Sequence, residues 1–97
     1  MALSETQVMI VEECNKIREI LLEKNRKYGD SAINPTRIFS KASNTEQIKV
    51  RLDDKISRLR NQQVDDDEDA VLDLIGYLVL LRVATRANMK KEVQSGK

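Results

Sequence analysis

The chain has no histidine, no tryptophan, one cysteine and very few aromatic residues. Without histidine there is no imidazole-based triad, no imidazole zinc ligand and no side chain that ordinarily titrates near pH 7. The lone cysteine, Cys14, excludes a disulfide framework and a thiolate metal cage within these 97 residues. Aromatic residues are 3% of the sequence, so leucine, isoleucine, valine and alanine must form the core.

Charge and hydropathy exclude further classes of partner. The formal net charge is +1, which gives no electrostatic reason to expect direct binding to nucleic acid or to an anionic membrane. No apolar run reaches the roughly 18 residues of a membrane span. The opening MALSETQ lacks the basic and apolar regions of a signal peptide. We therefore expect a cytoplasmic protein whose carboxylates, hydroxyls, amides and amines suit Mg²⁺ or Mn²⁺ and phosphate oxygens.

The first helix is predicted to begin at a capping box. Ser4 and Gln7 have the S-x-x-Q spacing of that motif. Apolar residues then recur at helical intervals, at Ile10, Cys14, Ile17 and Leu21. The same stripe continues through two polar residues, Asn25 and Tyr28, and Gly29 is placed to end the helix in a left-handed conformation.

Two more start signals follow. Asn34-Pro35 predicts a short connecting helix or turn from Pro35 to Ser40, with Asn34 as its N-cap. The sequence Ser43-Asn44-Thr45-Glu46 is a second capping box and opens a longer helix. The apolar stripe of that helix consists of Ile48, Leu52, Ile56 and Leu59.

The last helix is predicted from about Asp67 to Lys90, after a polar connector over 61–67. It is apolar on two sides, which three helices of this length can hardly bury. The sequence thus predicts one all-α domain over 1–91, with three main helices and a short connecting helix. Oligomerisation, as a homodimer or homotetramer, would complete the bundle, and residues 92–97 would form a flexible tail.

Asp69 and Asp73 lie four residues apart in EDAVLDLIGYL, so both carboxylates face one side of a helix about 6 Å apart. Gly76 and Leu80 share that side, so it is not plainly exposed to solvent. A divalent cation between the two acids would relieve their repulsion. The alternative is compensation of the helix dipole, because acids are favoured in a first turn. We adopt that alternative for the three aspartates at 65–67.

Asp53 and Asp54 form a second acidic group in RLDDKISRL. At 100° per residue, Asp53 borders the apolar stripe and Asp54 lies nearly opposite it. In a monomer they would belong to a solvated face with Lys55 and Arg58. In an oligomer, the helix could present one acid to each of two surfaces.

The stretch KNRKYGDS also has two interpretations. Gly29 and the polar residues around it are typical of a helix end followed by a loop. Alternatively, Asn25 and Tyr28 face inward and hold a sugar or base, Asp30 joins a metal, and Ser31 contacts a phosphate.

Taken together, KNRKYGDS, VRLDDKISRL and DEDAVLDLIGYLVLL resemble, in that order, a small family of phages and prophages known as nucleotide modification associated domain one. The resemblance covers about Leu21 to Leu81. It rests on three blocks of matching residues, namely Asn25, Tyr28, Gly29, Asp30 and Ser31; Arg51, Leu52, Asp53, Asp54, Lys55, Arg58 and Leu59; and Asp67, Glu68, Asp73, Leu74 and Tyr77.

That family is similar to the MazG-like all-α nucleotide pyrophosphohydrolases, in which acids on two or three helices hold Mg²⁺ against a triphosphate. The resemblance implies a cytoplasmic protein of a bacterium or phage-infected cell that acts on the nucleotide pool in connection with DNA base modification. The sequence departs from the MazG pattern. It has no clear E-x-x-E on the first two helices, and Asp69 precedes Asp73 by four residues instead of three. The metal site is therefore expected to be rearranged, weakened or lost.

The resulting hypothesis is a Mg²⁺-dependent (or Mn²⁺-dependent) pyrophosphohydrolase of (d)NTPs. Asp54, Asp69 and Asp73 would hold the metal and Asp53 would act as the base. Lys55 and Arg58 would steady the phosphates, while the base and sugar would meet the substrate-binding residues Asn25, Tyr28, Asp30, Ser31 and Tyr77. The alternatives are a non-catalytic nucleotide binder, or sponge, an adaptor of the same fold, and a helical oligomerisation module with no ligand.

Overall fold

The computed structural model describes residues 2–61 and 69–95. Over those ranges the chain forms three helices and no strand: α1, Glu5–Tyr28; α2, Asn44–Arg60; and α3, Ala70–Ser95. The prediction of an all-α fold with three main helices is confirmed. None of the described helices combines the length and the apolar character needed to cross a membrane.

The caps predicted for α1 are confirmed. The Ser4 hydroxyl accepts a hydrogen bond from the Gln7 amide (3.1 Å), and the Gln7 side chain accepts one from the Ser4 amide (2.9 Å). α1 ends at Gly29, whose φ of +68° favours glycine. Its ψ of −160° lies outside the left-handed helical region that we expected. α1 contains no buried residue.

The N-cap of α2 is Ser43, whose hydroxyl accepts a hydrogen bond from the Glu46 amide (3.2 Å). The Glu46 carboxylate lies 3.3 Å from the Lys49 ammonium on the first turns of the helix. The first half of the predicted stripe is buried, at Ile48 and Leu52. The second half is not, since Ile56 is 51% exposed and Leu59 is 40% exposed.

The prediction of a short helix from Pro35 to Ser40 is wrong, because no helix forms over those residues. Asn34 closes a turn that begins at Asp30 and so does not cap a helix. Its amide donates to the Asp30 carbonyl (2.8 Å), and its Nδ2 donates to the Asp30 carboxylate (2.7 Å). Within the described chain Phe39 is 97% exposed, so no apolar contact favours helix formation here.

α3 is apolar on two sides, as the pattern predicted, and only one side packs within the chain. Ala84 is completely buried and forms a cluster with the buried residues Ile33, Ile48 and Leu52. Leu81 packs against this cluster. The helix continues to Ser95, five residues beyond the predicted end. The predicted start, Asp67, and the predicted connector over 62–67 lie outside the described residues. The flexibility of the tail stays a prediction.

A pair of asparagine side chains joins α2 to α3. Asn44, at the start of α2 and 4% exposed, donates to Asn88 Oδ1 (3.1 Å) and accepts from Asn88 Nδ2 (2.9 Å). Asn44 Nδ2 also lies 2.8 Å from the carbonyl oxygen of Ile33, which ties the loop after α1 to the same point. These bonds join α2, α3 and the loop between α1 and α2 into one unit, against which α1 lies.

Candidate functional site

A cleft of about 180 Å³ separates the C-terminal half of α1 and the following loop from the first part of α3. Its apolar lining is Ile17, Ile20, Leu21, Ala32, Leu72 and Leu80, with Gly29 and Gly76. Its polar lining is Lys24, Asn25, Tyr28, Ser31, Asp73 and Tyr77. An apolar floor with a few convergent polar groups is the usual composition of a small-molecule site.

The cleft exists because α1 and α3 approach each other closely at one place and diverge from it. At that place Gly76, which is buried, faces Leu21: a Cβ on Gly76 would lie 3.4 Å from Leu21 Cδ2. α1 makes few contacts with α3, whereas α3 packs extensively on α2. The two walls of the cleft therefore belong to two weakly joined parts of the chain.

Five of the residues predicted to bind a substrate or metal line this cleft together. They are Asn25, Tyr28 and Ser31 from α1 and its loop, and Asp73 and Tyr77 from α3. These residues are more than 40 positions apart in sequence, and the stripe of α1 and the matching face of α3 bring them to one place. The ammonium of Lys27, the residue before Tyr28, lies 5.4 Å from the centre of the Tyr28 ring.

Asp30 has a structural position behind the cleft. Its carboxylate accepts hydrogen bonds from Asn25 Nδ2 (3.2 Å) and from Asn34 Nδ2 (2.7 Å). Its carbonyl oxygen accepts from the amides of Ile33 and Asn34. Asp30 therefore fixes the loop that carries Ser31, and it orients the Asn25 amide. It is not among the residues that line the cleft.

Lys55 of α2 contacts the acidic residue of the cleft. Its ammonium lies 3.2 Å from the Asp73 carboxylate, and the two side chains are 12% and 25% exposed. Asp73 thus contacts a cation on α2 while it lines the cleft between α1 and α3. The pair brings a positive charge close to any phosphate bound beside Asp73.

The other predicted acids are not brought to the same place. Asp54 lies 3.4 Å from Arg58, one turn along α2, and Asp53 is exposed. Asp69 is exposed and its carboxylate accepts a hydrogen bond from the Leu72 amide (2.9 Å), the geometry of an N-cap for α3. This contact agrees with the helix-terminus interpretation for Asp69, whereas the aspartates at 65–67 lie outside the described residues.

The chemistry of a magnesium site can be compared with this arrangement. Carboxylates are suitable ligands for Mg²⁺, which also retains several waters and binds phosphate oxygens. Within 2–61 and 69–95, no three acidic or sulfur-bearing side chains come close enough to hold an ion. An ion held beside Asp73 would therefore take its further ligands from a nucleotide, from water or from another copy.

Nine of the fourteen residues that line the cleft were not among the predicted site residues, and three of these nine, Lys24, Ile20 and Gly76, affect its charge or shape. Gly76 carried a sequence signal, because a glycine inside a long helix lowers helix stability and commonly marks a close approach. Ile20 and Lys24 flank the predicted stripe, and a wider face for α1 would have included them.

Comparison of the chain with protein-family models, with curated proteins and with solved structures finds no match. The resemblance described above therefore stays a prediction, and the function must be argued from the site itself.

Proposed function

We propose that this protein binds a nucleotide in the cleft between α1 and α3. The observation that supports it is the meeting of five predicted ligand-binding residues on one apolar-floored cleft. A nucleotide combines a flat ring, hydroxyls and an anion, and the cleft offers a counterpart to each. Within this proposal the protein acts in the cytoplasm of a bacterium or phage-infected cell, on the nucleotide pool in connection with DNA base modification.

Each part of the nucleotide has a suitable group in the cleft. The base would lie on the apolar floor formed by Ile17, Leu21 and Leu80, against the ring of Tyr28 or Tyr77. The Asn25 amide, held by Asp30, is placed to hydrogen-bond the base or sugar. Lys24 and Ser31 would contact the phosphate oxygens.

The single chain favours nucleotide binding without catalysis, as a sponge or as an adaptor. The Asp73 carboxylate is paired with Lys55, and the described residues hold no cluster of acids. Such a protein would capture its ligand and release it unchanged.

Mg²⁺-dependent or Mn²⁺-dependent pyrophosphohydrolysis of a (d)NTP is the second candidate, favoured by the position of Asp73 in the cleft. In that case Asp54, Asp69 and Asp73 would supply metal ligands, with the remaining ligands from the nucleotide, water or a second copy. Asp53 would be the base, and Lys55 and Arg58 would contact the phosphates. The ion would neutralise phosphate charge and lower the pKa of a bound water.

Binding is tested by thermal unfolding with a panel of NTPs and dNTPs, with and without Mg²⁺. A ligand at 100 times its Kd adds about 2.7 kcal/mol, which raises the Tm of a domain this small by about 10 °C or more. Lys24→Ala is expected to weaken the shift. Lys41→Ala is the matched control, because Lys41 is exposed in the loop before α2 and does not line the cleft. No shift with any nucleotide, or equal loss in both variants, would contradict the proposal.

Hydrolysis is tested separately, by chromatography of each nucleotide after incubation with the protein and Mg²⁺ or Mn²⁺. Monophosphate and pyrophosphate, formed by the wild type and lost in Asp73→Asn, would support the enzyme. Nucleotides that bind and are recovered intact would support the sponge. Turnover that is unchanged in Asp73→Asn would contradict the assignment of Asp73 to the metal.

A further inference from the structure

The isolated chain exposes far more surface than a protein of its size needs to. Its accessible surface is 8219 Å², whereas a compact monomer of 11.1 kDa exposes about 5,700 Å². Its radius of gyration is 16.2 Å, against about 12.5 Å for a compact domain of this length. The excess is about 2,500 Å² per chain, or about 5,000 Å² for two chains, which lies at the upper end of the total area that obligate homodimers bury.

One exposed apolar surface lies on α3, turned away from the side that packs on α2. We call it the outer face of α3, and it consists of Val71, Ile75, Leu78 and Val79. These side chains are 54%, 37%, 47% and 38% exposed. The spacing of four and then three residues from Val71 to Leu78 forms a continuous stripe, the pattern that pairs one helix with another.

The N-terminal half of α1, over 5–16, is exposed on every side, and we call it the arm. Val8, Met9, Ile10 and Val11 are 41%, 56%, 56% and 45% exposed, and because they are consecutive they lie around the helix. Ile10 continues the stripe of Ile17 and Leu21 that lines the cleft. The part of α1 that lines the cleft begins at Ile17. The 12 residues of the arm precede that part and span about 18 Å.

The charges beside the two surfaces are opposite in sign. Glu12 and Glu13 lie on the arm, and Arg82 and Arg86 follow the outer face on α3; all four are exposed. Within 2–61 and 69–95, neither arginine forms an ion pair and neither glutamate does. Among the described residues, one chain thus presents an acidic apolar arm and a basic apolar face of α3, and both are exposed.

We propose that the occupant of both surfaces is a second copy of this chain, with the arm of each copy on the outer face of α3 of the other. The exchange is reciprocal, so it gives a closed two-fold dimer. The net charge of +1 does not oppose self-association. The dimer would also hold α1 in place over α3, whose contact within one chain is narrow. The inference rests on surface area, apolar pattern and charge, and not on nucleotide binding.

Sedimentation equilibrium of the full chain at several concentrations tests the dimer without any nucleotide. The wild type is expected to sediment as at least two chains of 11.1 kDa. The double substitution Ile75→Glu with Leu78→Glu is expected to raise the dissociation constant at least 100-fold. Val50→Glu is the matched control, because Val50 is 66% exposed on α2, outside both surfaces. A wild type that sediments as one chain would overturn the proposal.

A charge exchange tests the pairing of the two surfaces and distinguishes it from misfolding. Arg82→Glu with Arg86→Glu is expected to weaken the dimer, and so is Glu12→Arg with Glu13→Arg. The protein that carries all four substitutions is expected to recover the wild-type dissociation constant, with unchanged helix content by circular dichroism. If the wild type is a dimer and the fourfold variant does not recover, the arm does not lie on the outer face of α3.

Discussion

Lys55 and Asp73 form an ion pair, 3.2 Å long, that joins α2 to α3 at the edge of the α1–α3 cleft. Both belong to the charged motifs that the sequence marked as chemically important. In the structure one is the counter-charge of the other. A carboxylate that could serve a metal or nucleotide is therefore also part of the packing of the fold, so its substitution must be judged by both stability and function.

We expect Lys55 and Asp73 to be energetically coupled. Most of each side chain is buried, so the loss of one partner leaves the other charge poorly solvated. A double-mutant cycle with Lys55→Met and Asp73→Asn, read by urea unfolding, should give a coupling energy of about 1–2 kcal/mol. The control is a cycle on Glu46 and Lys49, whose side chains are 62% and 55% exposed. That cycle should give about 0.5 kcal/mol or less. Equal coupling in the two cycles would contradict the argument.

Gly29 should tolerate no side chain, although space is available. A Cβ there would meet no heavy atom within 4 Å, but φ of +68° and ψ of −160° lie in a region that is essentially restricted to glycine. Gly29→Ala and Gly29→Asn should each lower the free energy of unfolding by about 1–3 kcal/mol. Asparagine offers no relief because its preference is for the left-handed helical region. An asparagine variant as stable as the wild type in urea would contradict this backbone assignment.

Substitution of Gly76 by alanine should stabilise α3, whereas substitution by a large residue should fill the cleft. An alanine Cβ would lie 3.4 Å from the mobile end of Leu21, so Gly76→Ala should raise helix stability by about 0.5–1 kcal/mol. Gly76→Leu would place a branched side chain in the cleft. We expect it to abolish the nucleotide-dependent rise in Tm while helix content is retained. A leucine variant that still binds nucleotide would show that the ligand site lies elsewhere.

Asn44 should contribute more to the free energy of unfolding than Asn88, its hydrogen-bond partner. Asn44 is 4% exposed and hydrogen-bonds both Asn88 and the Ile33 carbonyl. Asn44→Ala would leave that buried carbonyl without its donor, so we expect a loss of about 2–3 kcal/mol on urea unfolding. Asn88→Ala should cost less, about 1–2 kcal/mol, because Asn88 is only half-buried. The reverse order would contradict the role given to Asn44.

The local features of the fold could be predicted because they depend on neighbours in sequence. Ser4 with Gln7, and Ser43 with Glu46, supply donors and acceptors within one helical turn, so they mark helix starts in any tertiary context. The same argument failed at Asn34 and Pro35. There the asparagine has a competing partner, Asp30, which engages its amide and its side chain in a turn.

Five of the fourteen residues that line the cleft could be predicted, and the others depend on geometry between helices. Asn25 and Tyr28 were found because they continue the apolar stripe of α1. Asp69 and Asp73 share a face of one helix, but only Asp73 lines the cleft, because Asp69 precedes the helix and caps it. The helical period gives the direction of a side chain and does not say which residue begins the helix.

The sequence by itself determined an all-α chain, the starts of α1 and α2, and the two-sided apolar character of α3, because these depend on capping and periodicity over a few residues. Only the tertiary structure decided that Lys55 pairs with Asp73, that Asp30 supports Asn25, and that Gly76 lets α1 approach α3. Those relationships join residues on different elements, whose separation depends on how the helices cross and pack. No local pattern encodes that separation.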